Sequence, residues 1–284
     1  MAELRGPVLR YPGSKWRIGK WIVSLMPEHH TYVEPYGGSF SVFFQKPHSE
    51  SEYLNDIDHE IANLFRVLRN QPKELERTIR LTPWSRIEYE DSFHPTDDPV
   101  ELARRTLIKH WMSQGGTANG RYRSGWRHNG ALNGVGAGVT QQWRNLPERI
   151  MATVERIKDA QIECRPALEV LGRLNHSGVL AYIDPPYLAR TRKFKPMYRQ
   201  EMLDDTQHIE MLEFLTQDYQ GMVMLSAYES DLYDDLLEGW GKYHQVSQAD
   251  RGGDRQEVLW LNPAAEANRK IGPHSLFALD AQHG

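Results

Sequence analysis

The sequence has little of what marks a secreted, metal-binding or membrane-spanning protein. Its 284 residues include a single cysteine, Cys164, which excludes a disulfide framework and a cysteine zinc site and favours a reducing compartment. No apolar run approaches the roughly 18 residues of a membrane-spanning helix, and the N-terminus lacks a signal-peptide pattern. The histidines lack ligand spacing, so we expect no metal. These absences predict a cytoplasmic protein without a membrane partner.

Acidic residues are missing from two stretches of the chain. No Asp or Glu occurs from Leu102 to Pro147, or between Tyr187 and Glu201. The net charge of −4 argues against nucleic acid as a partner. An uneven charge distribution of this kind is nevertheless typical of a phosphate-binding surface, although a solvated face is the alternative. The cations of the two stretches are Arg104, Arg105, Lys109, Arg121, Arg123, Arg127 and Arg144, and then Arg190, Arg192, Lys193, Lys195 and Arg199.

The pattern of apolar runs and turn residues favours an open α/β sheet. Strands are predicted at 31–34, 52–55, 161–164, 179–183, 221–226, 243–247 and 257–261. Helices are predicted at 14–25, 39–45, 57–69, 99–112, 147–158, 167–174, 204–217 and 229–237. About 100 residues with a helical pattern part the first two strands from the later five, so we expect an inserted subdomain. Its glycine-rich middle, Gln114 to Gly138, is interpreted as a long functional or disordered loop.

The segment Asp184-Pro185-Pro186-Tyr187 follows the apolar run of the fourth predicted strand. Ligands of open α/β sheets bind at the carboxyl ends of strands, and two prolines force the chain to leave the sheet there. The segment supplies a carboxylate, a carbonyl with no competing N–H, and an aromatic face. These groups suit one task, which is to grip the exocyclic amino group of a planar base. An ordinary proline exit turn with a capping aspartate is the alternative.

Two upstream segments have the pattern of a nucleotide fold. Glu34-Pro35-Tyr36-Gly37-Gly38 follows the first predicted strand, and its glycines allow a close backbone approach, while the predicted helix 39–45 would offer its N-terminus to an anionic group. Asp56 ends the second strand, 22 residues after Glu34, near the spacing at which an acid meets ribose hydroxyls. A tight turn with Asp56 as a helix cap is the alternative. Tyr11-Pro12-Gly13-Ser14-Lys15 lies ahead of both segments.

Taken in order, these motifs resemble those of the Dam-type adenine-specific DNA methyltransferases, in particular their phage and prophage members. The resemblance runs from about Leu9 to Asn262 and includes Trp143–Pro147, Ile162–Val170 and Glu257–Asn262. It implies a Rossmann-like S-adenosylmethionine-dependent methyltransferase sheet with an inserted, mainly helical target-recognition subdomain. The implied activity is methyl transfer from S-adenosylmethionine to the N6 amine of a flipped adenine in a short DNA site.

The resemblance also implies site residues. Lys15, Tyr11 and Gly13 would line the methionine end of the cofactor. Glu34, Pro35, Tyr36 and Gly38 would form the turn beneath the cofactor, and Asp56 would hold its ribose. Asp184, which also faces the cofactor, would hold the target base together with Pro185 and Tyr187.

Two positions depart from the family pattern. Phe40 stands where relatives often carry a second glycine, so we expect a less open approach there. Pro166 replaces the region from which an acid reaches the cofactor's adenine in many relatives, so the ring would instead be held by backbone or by Ile162 and Leu168.

Double-stranded DNA is the implied partner, in the bacterial cytoplasm and nucleoid. We expect Arg121, Arg123 and Arg127 of the insertion to contact it, and likewise Arg192, Lys193 and Lys195 after the catalytic motif. The expected domains are a catalytic domain (1–64 and 151–263), the recognition subdomain (65–150) and a C-terminal tail (264–284), in a monomer or weak dimer. N4-cytosine methylation, an RNA target and an inactive DNA-binding module stay open as alternatives, as does a nuclease partner.

Overall fold

Seven strands form a single sheet in the computed structural model, which describes residues 4, 6–114, 124–128, 137–192, 198–248 and 254–269. The strands are β1 (Thr31–Glu34), β2 (Ser51–Asn55), β3 (Gln161–Glu163), β4 (Val179–Ile183), β5 (Met222–Ala227), β6 (Gly241–Gln248) and β7 (Asp254–Leu261). Their order across the sheet is β3-β2-β1-β4-β5-β7-β6, with β7 antiparallel to both neighbours and the other pairs parallel. All seven predicted strands are present, and the predicted Rossmann-like sheet is confirmed.

Both faces of the sheet are covered, and its middle strand, β4, is apolar throughout. In β4, Leu180 and Tyr182 enter the hydrophobic core on one face, while Val179, Ala181 and Ile183 enter the core on the other. All five residues are buried, as expected of a strand between two helical layers. The continuous apolar run that predicted the strand is therefore the signature of its central position.

Eleven α-helices pack around the sheet within the described residues. They are α1 (Gly19–Ser24), α2 (His59–Asn70), α3 (Pro72–Leu81), α4 (Arg86–Asp91), α5 (Pro99–Met112), α6 (Ala137–Arg144), α7 (Leu146–Ile157), α8 (Ala167–Arg173), α9 (Asp205–Glu213), α10 (Asp231–Leu236) and α11 (Pro263–Ala267). No helix of the described residues is long and apolar enough to span a membrane.

The predicted helix at 39–45 is wrong. Only a short 3-10 turn, Phe43–Gln45, forms there. Phe40 has φ of +50°, in the left-handed region, which a right-handed helix cannot contain. The helix N-terminus that was expected to face an anionic group is consequently not present at residue 39.

The insertion shares a hydrophobic core with the sheet. Leu64 and Phe65 of α2, Leu107 of α5 and Ile150 of α7 belong to the same buried cluster as Leu180 of β4. Helix α2 runs without interruption across the predicted boundary at 64/65, and α7 does the same at 150/151. The insertion is α-helical, as the sequence predicts. Helices α2 and α7 join it to the rest of the chain, because each runs from one predicted domain into the other.

Candidate active site

The carboxyl ends of β1 and β4 lie side by side at the point where the strand order reverses, which is where open α/β sheets bind ligands. A cavity of about 390 Å³ opens there, a volume within the range of ligand pockets. All the residues predicted to bind a cofactor line it: Tyr11, Gly13, Lys15, Glu34, Pro35, Tyr36, Gly38, Asp56 and Asp184. The topology thus brings together four segments that are far apart in the sequence.

Lys15 and Asp184 form an ion pair in the wall of this cavity. The Lys15 ammonium lies 2.9 Å from both carboxylate oxygens of Asp184 and donates a further 2.9 Å hydrogen bond to the Gly13 carbonyl. Burial by itself lowers the pKa of Lys15, but the charges of Asp184 and Glu257 outweigh it and raise the pKa above its ordinary value. The lysine is therefore a fixed cation. Burial raises the pKa of Asp184 above its ordinary value, and the charge of Lys15 opposes that shift.

Glu34, at the end of β1, has a pKa shifted toward the neutral, protonated form. Burial raises its pKa to about 8, although hydrogen bonds from the Tyr32 hydroxyl and the Phe43 N–H, both 2.6 Å long, act in the opposite direction. A neutral carboxylic acid places both a donor and an acceptor at the cavity wall.

Asp56 and Asn55, at the end of β2, fix the turn that follows β1. The carboxylate of Asp56 accepts a 2.7 Å hydrogen bond from Gly38 N–H, while the Asn55 carbonyl accepts one of 2.9 Å from Gly37 N–H. The Asn55 amide donates to the carbonyls of Pro35 and Arg165, and so links this turn to the loop after β3. Burial raises the pKa of Asp56 to about 7.

Gly38 and Phe40 show how the turn accommodates a residue other than glycine. Gly38 has φ of +53°, and a Cβ there would lie 2.7 Å from the ring of Tyr11, so only glycine fits. Phe40 adopts the same left-handed region but turns its ring away from the cavity and into the core, edge-on to Phe65. The expectation that Phe40 narrows the approach is therefore wrong, since its side chain does not line the cavity.

One end of the cavity is apolar and is formed by Ile57, Pro166, Ala167 and Leu168. Leu168 lies there as predicted, whereas Ile162 does not. The sequence did not single out Ile57, although an apolar residue directly after an acid at a strand end could have indicated a ligand contact. Ile57 is 47% exposed. An apolar slot beside a buried acid fits the purine and ribose of S-adenosylmethionine, with Glu34 and Lys15 toward the other end.

Pro185 and Tyr187 are buried and do not line the cavity. The Tyr187 ring carries the Lys15 ammonium 4.8 Å above its centroid, and its hydroxyl donates a 2.8 Å hydrogen bond to Glu257. The structure thus places Tyr187 directly behind Lys15 and Asp184.

Tyr198, from the loop after β4, also lines the cavity. Its ring stacks on Tyr11 with centroids 5.7 Å apart, and its hydroxyl donates to the Pro12 carbonyl at 3.4 Å. A Cβ on Gly13, which has φ of +75°, would lie 2.7 Å from that hydroxyl. Tyr198 and Tyr11 therefore form a stacked pair in the wall of the cavity.

The predicted DNA-contacting residues are differently placed. Arg192 is buried and pairs with Glu201 at 2.7 Å, a position that does not face solvent. Arg127 is partly exposed beside Trp126, whose ring stacks near that of His128. The remaining predicted contacts lie outside the described residues, namely Arg121, Arg123, Lys193 and Lys195.

Other cations of the two acid-free stretches are paired with acids from elsewhere in the chain. Arg104 pairs with Glu88 and Glu101, and Lys109 with Glu60. Arg190 and Arg199 have acidic partners as well. These pairs reduce the positive field that the sequence alone predicts.

The described residues contain no group of three or more His, Cys, Asp or Glu side chains suited to hold a metal ion. The sequence profile of the D12 class N6 adenine-specific DNA methyltransferases matches residues 11–250, which include every residue of the cavity wall. No curated protein gives a match. On the strength of the profile, which covers most of the sequence, the chain belongs to the D12 class N6 adenine-specific DNA methyltransferase family.

Proposed function

We propose that this DNA adenine methyltransferase takes its target adenine out of the duplex and holds the N6 amine at Asp184, beside S-adenosylmethionine bound in the 390 Å³ cavity. Adenine methylation follows from the family, and it displaces the alternatives of a cytosine target, an RNA target and an inactive module. Flipping is the proposed step, because an amine inside a base pair cannot approach a carboxylate set in a cavity wall. The phage-like origin and any nuclease partner stay predictions.

The observation that carries the proposal is the convergence of the Lys15–Asp184 pair with Glu34 and Asp56 on one cavity. S-adenosylmethionine, when bound, would supply the electrophilic methyl group, leaving as S-adenosylhomocysteine when the bond from methyl to sulfur breaks, and the alkylated amine would then lose one proton to solvent. Asp184 accepts an N–H of the adenine amine, which orients the nitrogen lone pair and stabilises the positive charge that grows there. Each carboxylate oxygen has two lone pairs, so Asp184 can accept this hydrogen bond while it keeps its ion pair with Lys15.

Asp56, Glu34 and Ile57 would hold the cofactor. From the end of β2, the Asp56 carboxylate would hold the ribose hydroxyls, and Ile57 and Leu168 would hold the purine. The neutral Glu34 binds at the centre without adding a charge beside the sulfonium. Tyr198 and Tyr11 close the cavity and exclude water from the reacting atoms.

Sequence recognition is proposed for the insertion. Arg127, with Arg121 and Arg123, would contact the target site. A bidentate arginine–guanine contact gives about 1–3 kcal/mol of discrimination, so loss of such an arginine would broaden the methylated motif.

The test of the proposed site is Asp184→Asn, which keeps the size of the side chain and removes its charge. Methyl transfer should fall by on the order of 10²–10³, as for other preorganised polar contacts to a transition state. Binding of S-adenosylmethionine, measured by calorimetric titration, should persist because most of the cavity wall comes from other strands. The matched control is Asp235→Asn on the exposed face of α10, which should leave turnover unchanged. Wild-type turnover in Asp184→Asn would refute the assignment.

A further inference from the structure

Glu257 lies behind the catalytic motif. It does not line the cavity, and little of it is exposed to solvent. It is on β7, the antiparallel strand next to β5, and is 9% exposed. Its carboxylate accepts the 2.8 Å hydrogen bond from the Tyr187 hydroxyl. Burying a carboxylate costs free energy unless the group is hydrogen-bonded. The hydrogen bond from Tyr187 offsets this cost and joins β7 to the loop after β4.

Three contacts fix the ring of Tyr187. Glu257 holds the hydroxyl end, Tyr228 packs edge to face with centroids 4.7 Å apart, and the Lys15 ammonium lies over one face. The hydroxyl stays protonated, because burial and the nearby charges of Asp184 and Glu257 raise the pKa of Tyr187 well above its ordinary value. Glu257 therefore has a permanent donor as its partner.

We infer that Glu257 is a positioning residue for methyl transfer, acting through Tyr187. Glu257 holds the Tyr187 hydroxyl and so fixes the plane of the ring. The Lys15 ammonium lies over that ring, and Lys15 in turn pairs with Asp184. The inference rests on the proposed role of the Asp184 motif in holding the base.

The positioning role depends on the hydrogen bond, whereas the charge of Glu257 acts separately by helping to raise the pKa of Lys15. An amide oxygen should therefore replace the carboxylate as the acceptor. Glu257→Gln is expected to keep the rate of methyl transfer within about threefold of wild type. Glu257→Leu removes the acceptor and is expected to lower the single-turnover rate about tenfold, the loss of roughly 1.4 kcal/mol. Tyr187→Phe keeps the ring but removes the donor, and the same loss is expected.

The two changes should not add. Tyr187→Phe combined with Glu257→Leu is expected to be no slower than the slower single variant, because both remove one contact. A merely structural role of Glu257 would change the affinity for S-adenosylmethionine or the midpoint of urea unfolding. For Glu257→Gln we expect both quantities to equal those of the wild type. A Val246→Ala variant, at an exposed position of β6, is the control for changes in this pair of strands.

Two outcomes would overturn the inference. One is a wild-type rate in Glu257→Leu while Asp184→Asn is inactive, which would leave the proposed function intact and remove the role of Glu257. The other is rate losses that add fully in the double variant, which would show that the residues act separately. Activity retained in Asp184→Asn would instead count against the proposed function itself.

Discussion

Glu34 couples the active site to pH. Its pKa of about 8 in the folded protein lies above the ordinary value of 4.5, so the folded state favours the protonated acid. Its contribution to stability is complete below pH 4.5 and is lost as the pH rises through 8. The glutamine of Glu34→Gln imitates the neutral acid at every pH.

We expect Glu34→Gln to gain stability relative to wild type as the pH rises through this interval, by no more than about 1.4 kcal/mol for each pH unit. Urea unfolding of both proteins at pH 5, 6.5 and 8 measures the difference. A difference that stays constant across the three values would contradict the raised pKa.

Phe40 reverses the usual ranking of alanine and glycine. A left-handed backbone costs a residue with a Cβ roughly 1–2 kcal/mol, and glycine avoids that cost. Phe40→Ala loses the buried ring and keeps the strain, whereas Phe40→Gly loses the ring and relieves it. Both should be less stable than wild type by a few kcal/mol, since removal of a buried Phe side chain costs about 3–5 kcal/mol.

The expected order is that Phe40→Gly is at least as stable as Phe40→Ala, although in regular structure glycine is about 0.5–1 kcal/mol worse. Denaturant titration of the two variants gives the order directly. Phe65→Ala and Phe65→Gly, in the middle of α2, serve as the control pair with the ordinary ranking. A less stable glycine variant at position 40 would show that the turn is not strained there.

Single residues differ in how well the sequence reveals them. Asp56 and Asp184 were predictable as residues of one site because each directly follows a predicted strand, and parallel strands end at the same edge of the sheet. The conformation of Phe40 was not predictable, since a positive φ is expected from sequence mainly at glycine. Glu257 was noticed within a motif, but its partner is 70 residues away and becomes visible only in the fold.

Helix α2 is the element that ties the insertion to the loop after β4. Glu60, in its first turn, pairs with Lys109 of α5 and accepts a 2.6 Å hydrogen bond from Arg199. Lys109 is only 5% exposed, so removal of Glu60 would leave a buried cation without its carboxylate partner.

Glu60→Ala is therefore expected to lower the free energy of unfolding by about 3 kcal/mol, in the range for a buried pair broken on one side. Adding Lys109→Met should restore much of the loss, because the double variant no longer buries a lone charge. A double-mutant cycle by urea unfolding measures the coupling between them. Additive losses would show that the pair is not coupled. Glu74→Ala, at an exposed pair with Arg77, is the control and should change stability little.

At the level of elements, strands were easier to predict than turns and helix ends. The buried strands are short apolar runs between turn residues, and all seven were found within three residues of their observed bounds. The helix expected at 39–45 failed because its aromatic residues have a helical spacing but pack into the core from an irregular turn. Helices α3 and α4 were foreseen only as a general helical pattern.

Across the whole molecule, attraction to DNA depends on cations that are not already paired. Arg190 pairs with Asp205 at the surface, and Arg192 with Glu201 in the interior. Lys193 and Lys195 belong to the same acid-free stretch of the sequence. We expect the double change Lys193→Gln and Lys195→Gln to weaken DNA binding for all sequences. The salt dependence should fall by about one unit of slope for each lost phosphate contact.

Binding isotherms at several salt concentrations measure that slope. Arg190→Gln is the matched control and should leave it nearly unchanged, because its charge is compensated by Asp205. An unchanged slope in the lysine variant would show that this stretch does not contact phosphate. The sequence overestimated the basic character of both stretches, since acids just outside the stretches, such as Glu101 and Glu201, and the distant Glu60 pair with their cations.

The Lys15–Asp184 pair joins residues that are 169 positions apart, and Glu257 follows 73 positions later. On a ribosome, the first segment of the site emerges long before its partners do. A nascent chain that ends between residues 38 and 184 has the turn after β1 but lacks the carboxylate proposed to hold the base. Methyl transfer at the proposed site thus requires synthesis beyond residue 184, and a chain that terminates between these points would have part of the cofactor pocket and could not modify DNA.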